Sequence, residues 1–505
     1  MAASRHPHRF APAPPSGVPR SPRRAGTSEG SPPSPGAARS SPPRPHSPVG
    51  GVSMTSSAEP VTSHRRVLTA TTVGTTLEWF DFALYGALAG VVFPHVFFPD
   101  SAPAIGVIQS FATFGVGFLA RPLGAAFFAR MADSAGRKKA MVVSLMLMGG
   151  VSLAIACLPG YETIGVAAPV GLVLLRFLQG FCLGGEASSA QVMALEYAPD
   201  GRRGFYGAMV NFGNPLGQVI VSVFMLTAAA ALGEDALKDW GWRLPFVAGA
   251  LIAVVGYFIR RNVEESPVFI EASQVGARTR RPLARVFRTQ RGTVIRLILV
   301  WLPNTFLSYV VSTYALAYIS NDLDMSSSVT FGLVLALNLC GLGLIPLGGS
   351  LSDRLGRKRV LFCTMAASLG GSLALFPLLD TRNTPLMLLA MLLSQGCQFL
   401  SVGVMAAFFA EPFPTAVRYS GHAAVYTLNN LIAGSTAPFV AALLLSTTGT
   451  TWSVVGVLAV LYGVGIASMA TLPETRWNRF ASNHGVEDDD APPTEEAPVT
   501  APAAR

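Results

Sequence analysis

Long apolar stretches alternate with short charged turns from about Thr69 to Leu472. Twelve stretches can be marked, at about 69–93, 105–128, 140–158, 165–190, 206–232, 243–260, 293–319, 329–349, 360–379, 385–410, 419–446 and 453–472. Each is close to the roughly 20 residues that an α-helix needs to cross a hydrocarbon layer of about 30 Å. Helix is the expected form, because backbone N–H and C=O groups find no water in that layer and must bond within their own segment. The pattern predicts an all-α membrane protein with twelve transmembrane helices.

The polar positions carry a second pattern. The turns after every second stretch hold Arg137, Lys138, Lys139, Arg202, Arg203, Arg260, Arg261, Arg357, Lys358, Arg359 and Arg418. Turns on the other side hold Asp100, Glu162, Glu234, Asp235, Asp239, Asp322 and Asp324, with Lys238, Arg243 and Arg382 as exceptions. The positive-inside rule then places both termini in the cytoplasm. A net charge of +9 is thereby explained by topology, and no nucleic-acid partner is expected. Composition agrees, with 50% hydrophobic and 13% charged residues. Cys157, Cys182, Cys340, Cys363 and Cys397 all fall in apolar segments without metal-ligand spacing, and read as packing residues. No phosphate-binding glycine loop, nucleophile motif or Cys/His cluster supports an enzyme, and no metal or cofactor is expected.

Outside the apolar region the chain changes character. Residues 1–62 are rich in Pro, Ser, Gly and Arg and are expected to be disordered. Met54, close to the first stretch, is the expected native start, which makes the 53 preceding residues an extension. The organisation expected is a six-helix bundle at 63–261, a cytoplasmic linker at 262–292, a second six-helix bundle at 293–476 and a disordered tail at 477–505. Arg278, Arg280, Arg281, Arg285, Arg288 and Arg291 in the linker suit either anionic headgroups or a plain solvated loop.

The two bundles echo each other. Asp133-Ser134-Ala135-Gly136-Arg137-Lys138-Lys139 returns as Asp353-Arg354-Leu355-Gly356-Arg357-Lys358-Arg359, and Glu196 with Pro199 and Arg202 returns as Glu411 with Pro414 and Arg418. Duplicated halves meeting at a midplane site are a common transporter plan. In these turns the chain resembles the major facilitator superfamily, whose pattern is Gly-x-x-x-Asp-(Arg/Lys)-x-Gly-(Arg/Lys)-(Arg/Lys). Gly349 to Lys358 fits in full, whereas the first copy has Ala129 and Ser134 where Gly and a basic residue are usual. A small residue allows close helix approach, the Asp can face a helix N-terminus, and the arginines can bridge to carboxylates such as Glu196. Asp133, Gly136, Arg137, Glu196, Asp353, Gly356, Arg357 and Glu411 are the expected gate, with the turn at Asp133 expected to be the working one. A topogenic turn without gating is the alternative.

The chain is more narrowly similar to the metabolite:proton symporter family of shikimate, α-ketoglutarate, citrate and proline/betaine transporters. The resemblance rests on Glu78-Trp79-Phe80-Asp81-Phe82-Ala83-Leu84-Tyr85-Gly86, Arg121-Pro122-Leu123-Gly124, Gln179-Gly180-Phe181 with Gly184-Gly185-Glu186, Trp240 to Phe246, and Glu264 to Phe269. It departs at Ala187-Ser188-Ser189, where relatives often carry an aromatic residue and Gly.

Five ionisable side chains lie well inside the stretches: Glu78, Asp81, Arg121, Arg176 and Glu186. Each would cost about 2.5 kcal/mol or more facing lipid at the centre, so they should face inward and pair. Glu78 and Asp81 share a helix face, and side by side they would resist ionising together. They are the expected proton site, with Arg176 as counter-charge. Arg121 or Arg176 is the expected anchor for a substrate carboxylate, which a guanidinium fork matches; for Arg121 a structural pairing is equally open, and for Glu186 it is favoured. Tyr85, Tyr314, Gln395 and Asn430 complete the expected substrate contacts, while His422 reads as bonding a loop. The expected function is a proton-coupled symporter importing a small organic acid by alternating access, as a monomer in the bacterial plasma membrane with protons, substrate and lipid as its partners. A zwitterionic solute importer, or an exporter on the same fold, is the alternative.

Overall fold

The computed structural model describes residues 61–135, 137–184, 186–261, 282–414 and 417–476. The expected tails, and most of the linker, lie outside these residues. The described chain is helical, and the helices coincide with the apolar stretches. Eight of them are long and apolar enough to cross a membrane, among them Pro103–Phe128, Arg203–Leu232, Arg291–Asp322, Ser327–Leu355 and Thr384–Ala410. Val142–Ala156, Ala167–Cys182 and Gly241–Val254 are shorter apolar helices. Val61–Val91 is helical throughout although it carries Glu78 and Asp81.

One expected span is broken. The fourth stretch runs as helix only over Ala167–Cys182 and resumes at Glu186–Glu196. Beside the break, the neighbouring helix Pro103–Ala135 comes in at backbone distance: a Cβ on Gly184 would meet the carbonyl oxygen of Arg121 at 2.5 Å. The same two helices touch further up, where a Cβ on Gly180 would strike the Gly117 backbone. In lipid there is little hydrophobic gain from joining helices, so close van der Waals approach at small residues takes its place.

Within residues 61–261, helix Val61–Val91 packs on Gly213–Leu232, Pro103–Ala135 on Ala167–Cys182, and Arg137–Ala156 on Leu244–Arg261. Residues 282–476 form the second half. The halves meet where Arg203–Leu232 lies along Ser327–Leu355 and where Pro103–Ala135 lies along Ser435–Thr448. Cys397–Ala410 also packs on Arg203–Asn211, where Asn211 donates to the Val402 carbonyl oxygen at 3.0 Å.

The halves differ in helical register. Four π-helical turns occur among the described residues, at Val310–Tyr314, Tyr318–Asp322, Leu392–Gly396 and Asn430–Gly434, all in the second half. Such turns widen the helix by one residue and recur at functional positions.

Candidate functional site

The centre of the first half is a buried polar chain. Asp81 accepts a hydrogen bond from Ser152 Oγ at 2.7 Å and another from Gln179 Nε2. Gln179 Oε1 in turn accepts from Arg176 Nη1 at 2.6 Å. Arg176 and Gln179 stand three apart on one helix, so they share a face. Asp81 also borders a cavity of about 10 Å³ lined by Leu77, Leu145, Gly149, Ser152 and Ala253. That is room for a single water.

Arg176 is fully buried, and its Nε and Nη2 have no hydrogen-bond partner among the described residues. Its guanidinium carbon lies 4.1 Å from the Tyr85 ring centre and 4.4 Å from that of Phe82. Such stacking offsets part of the cost of burying the charge. Gly117 leaves space for it, since a Cβ there would sit 2.9 Å from Arg176 Nε. Two unmade bonds remain on a buried cation, and each costs roughly 1–3 kcal/mol or more. A carboxylate is the group that would satisfy both, through a two-toothed contact.

Glu78 and Asp81 do not form the expected pair. Glu78 faces Arg121 at 3.8 Å, while Asp81 turns to Ser152 and Gln179. Their three-residue spacing set a common helix face, but the neighbouring helices supplied separate partners. Arg121 also lies 4.3 Å from the Phe82 ring centre, so the two arginines share that ring. Across the interface Arg121 has the Tyr426 hydroxyl as a near neighbour. Tyr309, also from the second half, packs its ring on Phe114 and Phe118 at 5.9 and 5.6 Å.

The second half contributes neutral groups. Gln395 and Asn304 are fully buried with both amide atoms unbonded among the described residues. Gln398 reaches the Asn304 carbonyl oxygen at 3.4 Å, and its own Oε1 is unbonded. The Tyr85, Tyr309 and Tyr314 hydroxyls are unbonded too. Asn430 instead donates to the Tyr426 carbonyl of its own helix at 3.0 Å. Tyr314, Gln395 and Asn430 all fall within π-helical turns. His422 makes no bond to a loop: both ring nitrogens are unbonded, and the ring stacks on Tyr426 at 6.4 Å. Ser152, Gln179, Asn304 and Tyr309 complete these clusters without having been singled out as site residues. Neutral side chains cost less to bury than charges, so they stand out less in a sequence.

A second constellation sits at the basic turn. Asp353 accepts from the backbone N–H groups of Gly204 and Phe205 at 2.8 and 2.9 Å, capping the Arg203–Asn211 helix of the other half. Arg357 donates to Asp353 at 2.7 Å and forks onto Glu411 at 3.0 and 3.3 Å. Glu474 accepts from the N–H groups of Arg357 and Lys358 at 2.9 and 3.0 Å. Gly349 allows the approach, because a Cβ there would meet that of Ala208 at 2.6 Å. Gly356 turns the chain at a φ of +102°, where glycine is favoured. In the first copy, Gly136 and the side chains of Asp133 and Arg137 lie outside the described residues, as does the Glu186 side chain. Glu196 is exposed, with Arg418 of the second half as its charged neighbour.

The Major Facilitator Superfamily model matches residues 71–438. The inner membrane metabolite transport protein YhjE of Escherichia coli is 34% identical over 83% of this chain and 96% of its own length. The shikimate transporter of the same organism is 31% identical, covering 81% of this chain and 94% of its own. Its proline/betaine transporter is likewise 31% identical, over 81% of this chain and 84% of its own. Among solved structures, a D-xylose-proton symporter aligns with a TM-score of 0.64 at 19% identity, over 82% of this chain and 98% of that one. The chain belongs to the major facilitator superfamily and is a multi-pass membrane transporter, related to its metabolite, proline/betaine and shikimate carriers.

Proposed function

We propose that this transporter is a proton-coupled symporter that imports a small organic acid by alternating access. The observation that carries the reading is Arg176, fully buried with two unbonded guanidinium nitrogens and linked through Gln179 to Asp81. A carboxylate substrate meets Arg176, and Asp81 takes the proton. The remainder of the substrate meets Asn304, Gln395 and Gln398, whose amides both donate and accept and so suit hydroxyl or carbonyl groups. Arg121, paired with Glu78 and touching Tyr426, holds the two halves in register around the site.

The same reading gives the protein twelve spans with both termini cytoplasmic, in bundles at 63–261 and 293–476 joined by the 262–292 linker. Its place is the bacterial plasma membrane, as the name of the inner-membrane relative suggests, and it works as a monomer. The second reading is import of a zwitterionic solute. It is favoured by the proline/betaine relative, which is as similar as the shikimate one.

Uptake of labelled shikimate, α-ketoglutarate, citrate, proline and betaine into reconstituted vesicles separates the two. An organic acid should accumulate only under an imposed proton gradient. Asp81→Asn should abolish that accumulation while the protein still inserts. Accumulation of betaine or proline without the acids would establish the second reading, and wild-type uptake by Asp81→Asn would remove the proton site.

A further inference from the structure

Among the described residues, Gln179 is the one side chain bonded to both members of the proton-and-anchor pair. Its amide nitrogen faces Asp81 and also lies 3.4 Å from Ser152 Oγ, while its amide oxygen faces Arg176. It is fully buried. A primary amide has a donor end and an acceptor end. Which end faces Asp81 therefore decides which end faces Arg176.

We propose that Gln179 is a positioning residue that converts the protonation state of Asp81 into the availability of Arg176 for a carboxylate. The inference rests on the symport reading above. With Asp81 ionised, both carboxylate oxygens accept, one from Ser152 and one from Gln179, and the amide oxygen is aimed at Arg176 Nη1. A proton added to the Asp81 oxygen facing Gln179 turns that position into a donor. The amide then turns over so that its oxygen accepts from Asp81, which brings its NH2 group to Arg176. Donor against donor cannot bond, and Nη1 joins Nε and Nη2 in seeking an acceptor. The substrate carboxylate is that acceptor. When the proton leaves the same oxygen, the amide returns to Arg176 Nη1, and the carboxylate loses that donor and is held more weakly by Nε and Nη2 alone. No other bond forms or breaks.

The groups around Asp81 leave few rivals for this role. The Ala167–Cys182 helix supplies Arg176, Gln179 and the Cys182 thiol, and Arg137–Ala156 supplies Ser152. Leu244–Arg261 contributes Gly249, Ile252 and Ala253 to the cavity at Asp81, none of them titratable. On its own helix, Glu78 is engaged with Arg121, and Tyr85 lies under Arg176. Ser152 touches Asp81 but not Arg176, so it cannot pass the signal on.

Linkage requires that proton and substrate each raise the other's affinity by the same factor, typically about 5–150-fold. Counterflow exchange of labelled shikimate, α-ketoglutarate or citrate reads substrate affinity without a gradient. In the wild type, affinity should weaken at least about fivefold from acid to alkaline pH. In Gln179→Leu, which keeps the volume but has neither donor nor acceptor, that dependence should flatten to less than about twofold. Gradient-driven accumulation should disappear with it. Gln179→Asn, too short to span the two partners, should behave the same way and covers the case in which the Leu variant fails to insert. A wild-type pH dependence in either variant would overturn the proposal.

A third measurement needs no substrate. The infrared band of the protonated Asp81 carboxyl, identified by its loss in Asp81→Asn, should shift in frequency in Gln179→Leu, because the carboxyl loses its amide partner. An unshifted band would also overturn the proposal. If no carboxylate of the panel is exchanged by the wild type while the band does shift, the symport reading of substrate fails and the Asp81–Gln179 contact stands.

Discussion

Arg176 shows how a residue's cost can identify its use. An intramembrane cation pairs or finds a ligand, and here its one direct bond is to a neutral amide, with two nitrogens left over. Lysine would keep the charge but lose the planar fork and much of the stacking over Tyr85 and Phe82. Arg176→Lys is expected to lower initial uptake of the transported acid roughly ten- to hundredfold, the equivalent of one charged hydrogen bond. Uptake normalised to the amount of protein in the membrane checks this, and a loss smaller than about twofold would argue against direct anchoring. The sequence was readable here to the extent that charge is conspicuous. Asp81, Arg121 and Arg176 stood out because charges are rare in apolar stretches. Gln179 and Ser152 did not, because a neutral polar residue in a helix is ordinary. The Glu78–Asp81 pairing failed for a related reason: spacing along one helix gives a shared face, but only the neighbouring helices decide what each side chain meets.

At the scale of elements, hydropathy located the helices well, because length and apolarity are the whole requirement for spanning. It could not locate the break after Cys182, which depends on Gly184 lying against another helix backbone, nor the π-helical turns, which leave no periodic trace. One short element carries a consequence of its own. Helix Pro282–Thr289 is separated only by Gln290 from Arg291–Tyr309, which opens a span long and apolar enough to cross a membrane. Val286 is buried, and the helix packs on Arg418–Asn429. Leu283 and Phe287 are 50% and 43% exposed, and Arg285 and Arg288 of the same helix are exposed as well. That combination suits an interfacial helix on anionic lipid, where each basic residue contributes about 1 kcal/mol. Phe287→Trp should therefore be quenched by brominated lipid chains, and Arg285→Gln with Arg288→Gln should slow uptake in vesicles containing phosphatidylglycerol but not in purely zwitterionic ones. An unquenched tryptophan would place the helix in water.

At the scale of the whole molecule, the two related turns differ in sequence, and the contacts of the second one join the halves. The sequence favoured Asp133 as the working gate because its half carries the buried charges. The described contacts favour Asp353 for that role, since its carboxylate reaches across the interface to cap a helix of the other half. A cap of this kind is worth about 0.5–2 kcal/mol, and the positive end of the helix adds a charge–dipole attraction. Under the proposed alternating access this bond must break each cycle, because Arg203–Asn211 and Ser327–Leu355 would separate as this side opens. Asp353→Ala should move the population towards the state open on the basic-turn side by about 5–30-fold, the factor that 1–2 kcal/mol represents. A cysteine at Phe205, in a protein whose five native cysteines have been replaced, gives the readout. Its reaction with an impermeant maleimide in inside-out vesicles should speed up by a factor of that order when Asp353 is removed, and transport should slow as the states become unevenly populated. Asp133→Ala provides the comparison. A similar acceleration would make the two turns equal gates, and an unchanged rate in Asp353→Ala would reduce the capped helix to a static support.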